Sequence, residues 1–296
     1  MAAGALPAAL TQRLLRHMTG AAAPVDFRAP HGEPALVAAD SVSWRVFKNP
    51  VALFVGGIAA VILELAEPRV RSGVWDHSSF RRDPATRMAR TGMAAMATVY
   101  AARSVSARMI AGVRRAHDHV RGQTPDGQDY QANDPELLNW VQATASFGFL
   151  QAYCSYVRAL PAGARDRFYA EGVAAAELYG ATGAPRSVAE QAALFDRMRP
   201  HLKRSPIVGE FLDIVGTAPL LPTALGPLQR LLVRAAVQIV PADIRAILGL
   251  DQGLNSIGRR LVMAAGAGAD RLVLPGMPPV HACERLDLPR DCLYRR

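Results

Sequence analysis

His117 lies in the run RRAHDHVRG, where the types and spacing of residues are the most chemically loaded in the chain. Read as a helix, the segment places Ile110, Val113, His117 and Val120 on one apolar stripe by the 3.6-residue period. Arg114 and Arg121 then fall about one turn either side of the imidazole, while His119 points away with Arg115. Neighbouring cations disfavour protonation of an imidazole, and the neutral ring is the form that binds a metal. Two guanidinium groups beside it suit a ligand that carries two carboxylates. Haem b is such a ligand, with iron for His117 and propionates for Arg114 and Arg121. A hydrogen-bonded core histidine fits the same stripe, although it needs one partner rather than two cations.

Upstream, Arg87, Arg90 and Thr91 share one face of a second helix, because positions three and four apart are neighbours. Ala94, Ala95 and Thr98 continue that face with small side chains, so something flat can lie against it. Asp83 is a helix N-cap and Pro84 a first helical residue. Ser104 or Ser106 is expected to restart the chain after a short break. From Val51 to Ala66 runs the most apolar stretch, interrupted by Glu64 and Glu67 and too short to span a membrane. It is predicted as a buried central helix, with Gly56 and Gly57 admitting a close neighbour and Glu67-Pro68 ending it.

Further along, Thr124-Pro125-Asp126-Gly127 reads as a turn. Asp134-Pro135 opens a helix reaching about Ala159, whose Trp140, Thr144, Phe147, Phe149, Leu150 and Tyr153 either wall a cavity or pack the core. Ser187 and Glu190 form a capping box. Short apolar helices follow at 207–214, 225–239 and 242–248, with a last one over 255–265. The fold class expected is all-α: a single-domain bundle of about ten helices enclosing the haem pocket. Residues 1–34 are read as a helix and arm, 35–265 as the domain, and 266–296 as an extended proline-rich tail on the surface.

An ordered series of segments carries a resemblance: GGIAAVILELAEPRV, GVWDHSSF, RMARTG, RRAHDHVRG, YQANDPELLNWVQAT and RDRFYAEG. From about Trp44 to Leu202 the chain resembles the MpaB/latex-clearing-protein family of haem b oxygenases, which includes bacterial rubber oxygenase. The resemblance implies a proximal iron ligand at His117, nearby arginines at Arg114 and Arg121, and an Arg-x-x-Lys/Arg-Thr motif at Arg87, Arg90 and Thr91. Rubber oxygenases have a lysine where this chain has Arg90, and a guanidinium is a poor iron ligand because it stays protonated. They also use a glutamate as base near the haem. Glu64 is the candidate here, its other reading being a helix-end carboxylate paired with Arg69 or Arg71. His77, in the family's Asp-His-Ser-x-Phe, either lines the pocket or braces the turn, and bracing is favoured.

Composition narrows the partners. The net charge of +9 comes almost wholly from arginine, since Lys48 and Lys203 are the only lysines. The arginines are dispersed among apolar helices with no basic run or reading module, which argues against nucleic acid. Cys154, Cys283 and Cys292 form neither a disulfide framework nor a zinc site. With no basic-then-apolar leader, the cytoplasm is the simplest location. The function expected is a haem b-dependent oxygenase acting with O2 on a small apolar substrate, unsaturated and isoprenoid- or lipid-like, without stable membrane insertion. The alternative is a helical protein that binds haem or lipid without catalysis.

Overall fold

The computed structural model describes residues 25–250 and 253–294; the helix expected within 1–18 lies outside them. The described residues form thirteen α-helices, two short 3-10 turns and one two-stranded hairpin. An all-α fold is therefore what the chain adopts, with more helices than the expected ten.

The core is organised on α2 (Pro50–Glu64), which follows α1 (Val42–Phe47). Asn49 caps α2 by accepting from Val51 N and Ala52 N, and Pro50 occupies the first turn, where its missing N–H has no cost. Val55, Ile58, Ala59, Ile62 and Leu63 are wholly buried. The main neighbour of α2 is α6 (Pro135–Tyr156), capped in the same way by Asp134. Their backbones meet at Gly56 and Gly148: a Cβ on Gly56 would stand 2.7 Å from Phe149 Cα and 2.8 Å from Gly148 C. Only hydrogen at both positions permits that approach. Beyond Leu65, Glu67 caps α3 (Pro68–His77), which is bent 113° from α2. No single described helix is long and apolar enough to cross a membrane.

Two helices that position chemistry lie against this core: α4 (Pro84–Tyr100), capped by Asp83, and α5 (Arg103–His117). Neither serine starts α5 as expected; its N-cap is Ala102. Ser104 instead donates its N–H (2.6 Å) and hydroxyl (2.8 Å) to Glu33, and Ser106 donates to the Ala97 carbonyl (2.8 Å). Helix α5 also stops earlier than expected. It ends at His117, and the chain turns into β1 (Arg121–Gln123), paired antiparallel with β2 (Asp129–Gln131) around the predicted turn, where Gly127 has φ of 82°. Val120 and Arg121 therefore leave the helical stripe. Three-residue strands of polar composition carry no alternation to betray them.

Helices α7 (Ala162–Tyr179), α8 (Val188–Met198), α9 (Pro206–Thr217), α10 (Gly226–Ile239) and α11 (Ala242–Leu248) complete the shell. The expectation of an extended tail from Gly266 fails. Helix α12 (Ser256–Ala269) runs through it, and α13 (Pro278–Arg285) buries Val280, Cys283 and even Arg285. Gly266 is needed where α12 crosses α6, since a Cβ there would collide with the Tyr156 carbonyl oxygen. The Ala-Gly run and the paired prolines read as loop signals, but here they serve close helix packing and a helix first turn. The Arg285 guanidinium donates to the Glu33 and Phe27 carbonyls (2.8 and 2.7 Å), tying residues 27–33 to α13.

Candidate active site

The end of α2, the first half of α4, the end of α5 and the middle of α6 bring Glu64, Arg87, His117 and Thr144 into one electrostatic neighbourhood. Each cause of the Glu64 shift names a neighbour. Burial lifts its carboxyl from 4.5 to about 7, while the Arg87 charge and the nearby Thr144 side chain act in the opposite direction. Burial wins, as it does for carboxyls in poorly hydrated sites. Glu64 lies deep among protein atoms yet retains some accessible surface. Glu67 has a different fate: its carboxylate caps Val70 N (2.8 Å) and pairs with Arg69 (2.8 Å). The ion pair with Arg69, one of the two readings of Glu64, belongs to Glu67 instead.

Arg87 is half-buried, and its guanidinium donates to Thr91 Oγ1, which itself donates to the Arg87 carbonyl (3.0 Å). Burial and the Arg90 charge lower the Arg87 pKa while Glu64 raises it. Arg90 and Thr91 are exposed on the same helix. Further along α4, Thr98 meets the Tyr179 hydroxyl (3.3 Å) from α7.

His117 is half-buried, and burial lowers its pKa from 6.5, with Arg87 adding to the effect. The ring is therefore neutral at physiological pH. Beside the ring lies Asn133, a residue that spacing along the α5 helix did not single out. Asn133 Nδ2 donates to the Arg114 carbonyl (3.0 Å) and to Asp118 Oδ1 (2.7 Å). Asn133 raises the His117 pKa against the effect of burial. His117 Nδ1 and Asn133 Oδ1 are both buried, and neither has a hydrogen-bond partner among the described residues. An amide oxygen only accepts, so it would pair with the ring only when Nδ1 carries the proton, the tautomer that leaves the Nε2 lone pair free. Histidine ligands of metals are commonly held in this manner.

Arg114 is exposed near the end of α5, and Arg121 is exposed on β1. Neither has an ion pair among the described residues, so their donors are uncommitted. His77 Nε2 meets the Tyr130 hydroxyl (3.1 Å), so it braces α3 against the hairpin. Of the α6 side chains considered for a cavity wall, only Thr144 touches this cluster. Trp140 and Phe147 pack on Phe195, and Phe149 packs on Phe47. A surface cavity of about 560 Å³ beside Glu136, Arg197 and His201 shares no lining residue with the cluster. The titratable chemistry does not lie there.

Comparison with known families agrees with this geometry. Residues 44–273 match the model of the family described as ER-bound oxygenase mpaB/B'/Rubber oxygenase, catalytic domain. The chain belongs to that family. No curated protein and no solved structure matches it. The match covers all four cluster positions and extends past Leu202 through α12. The chain thus carries an oxygenase-family catalytic domain, which makes it an oxidoreductase by class.

Proposed function

We propose that this protein is a haem b-dependent oxygenase that acts with O2 on an apolar, unsaturated substrate of isoprenoid or lipid type. The observation that carries the proposal is the convergence of a neutral His117 with Glu64 and Arg87 from separate helices. The donor set fits the cofactor. His117, whose buried Nδ1 has no partner among the described residues, would hold the iron, and the uncommitted Arg114 and Arg121 would hold the propionates. Bound haem would supply O2 activation.

The chain's own groups account for the rest. Glu64, lifted to about 7, can accept or hold a proton at neutral pH, which is the range a general base needs. Arg87 steadies the carboxylate form and places positive charge where negative charge develops during oxygen chemistry. Arg90 would offer guanidinium donors from the exposed side of α4 and, staying protonated, would not itself ligate iron, while Thr91 holds the Arg87 guanidinium. Met93, Ala94 and Ala95 follow on α4 without charge and are only half-buried, a surface suited to a hydrocarbon chain. Oxygen uptake by haem-loaded protein over a panel of unsaturated lipids and isoprenoids tests the proposal. Uptake is expected with at least one member, and Glu64→Gln should slow it by roughly 10²–10⁴-fold. Haem-loaded protein that consumes no oxygen with any of them would contradict it.

A further inference from the structure

Helix α12 is amphipathic in the wrong sense for a water-facing helix. Its inner face holds Gly258, Val262 and Gly266, all buried. Its outer face leaves Ile257 67% exposed, Leu261 56% and Met263 43%. Three of the six strongly exposed large apolar side chains among the described residues stand on this one helix. A surface helix normally turns polar residues outward, and clustered exposed apolar side chains mark an interaction site.

The charges on this face have one sign. Arg259 and Arg260 are exposed on α12, which has no acidic residue between Ser256 and Ala269. Helix α10 packs beside it, with Leu231 Cδ1 3.0 Å from where a Cβ of Gly258 would be, and exposes Arg230 and Arg234. None of these four arginines has an ion pair among the described residues. Isoleucine and leucine have nothing to offer a nucleic acid. A second copy of the chain docked through the same face would bring two all-basic surfaces together. A bilayer with anionic headgroups satisfies both halves of the pattern, since its acyl boundary takes the apolar side chains and its headgroups take the arginines.

We propose that the α10–α12 face docks on an anionic lipid surface, with Ile257 and Leu261 entering at headgroup depth and Arg230, Arg234, Arg259 and Arg260 on the headgroups. This is interfacial docking rather than insertion, and it stands independently of the haem. The test is flotation of the full chain with phosphatidylcholine vesicles, made with and without phosphatidylglycerol. Flotation is expected with the anionic vesicles only. Arg260→Glu should weaken partitioning at least about fivefold, and Ile257→Ser/Leu261→Ser should abolish it with an unchanged circular dichroism spectrum. Arg167→Glu, an equal charge change on α7, should leave it intact. Three results would overturn the proposal: flotation by the double variant equal to that of the parent; equal losses from Arg167→Glu and Arg260→Glu; or a dimer in gel filtration that the double variant converts to monomer.

Discussion

Glu64 and Glu67 stand three residues apart with the same side chain, and the fold separates them completely. Glu67 is consumed by a helix cap and Arg69, whereas Glu64 keeps some accessible surface and a carboxyl lifted from 4.5 to about 7. Between those values the unfolded chain has released its proton and the folded chain has not. Stability must therefore fall as pH rises through that window, by about 3 kcal/mol once it is crossed. Glu64→Gln should stabilise the protein above pH 7 and make little difference below pH 4.5, as read from denaturant unfolding at the two ends. His117 has the opposite dependence. Its pKa lies below 6.5, so its contribution is full above that value and fades as pH falls through the lowered one. Asn133 acts on the same ring without titrating. Asn133→Leu should lower haem affinity roughly 10–100-fold in a haem titration, while Asn133→Asp, which keeps an acceptor, should lose less.

At the scale of elements, α2 and α6 approach each other backbone to backbone. Adding a methyl at Gly148 favours the helix by about 1 kcal/mol, but it collides with the Gly56 carbonyl. Backbone cannot yield as a side chain can, so overpacking at or above about 3 kcal/mol is expected. Gly148→Ala should cost about 2 kcal/mol net in denaturant unfolding. Gly57→Ala should be neutral or stabilising, since its Cβ meets only the Phe149 ring at 3.9 Å. The caps at Asp83, Asp134 and Ser187 were legible in the sequence because each is a local residue pattern. So was the shared face of Arg87 and Thr91. The end of α5 was not legible, because its last turn tightens, with His119 N–H on the Ala116 carbonyl (3.3 Å) and Val120 N–H on the His117 carbonyl (2.9 Å), and the strand that draws the chain away lies further on at 129–131. Helical spacing therefore placed Arg121 one turn past His117 when it sits on a strand. Glu64 was named without its partners for the same reason, since Arg87 and Thr144 arrive from other helices.

Across the whole molecule, the family assignment was legible because six segments keep their order, and order survives where single motifs are weak. The C-terminal third was misread because small residues and prolines report backbone freedom, not the packing that uses it. Gly266 and Pro278 each lie where a helix meets a neighbour or begins. The account's central proposal is that the chain binds a b-type haem through His117. The visible absorption spectrum of purified protein, as isolated and after haem titration, tests it most directly. The account predicts a Soret band that saturates at one haem per chain, is largely lost in His117→Ala and is kept in His119→Ala. A chain that stays colourless on titration, or one whose band survives in His117→Ala and vanishes in His119→Ala, would contradict it.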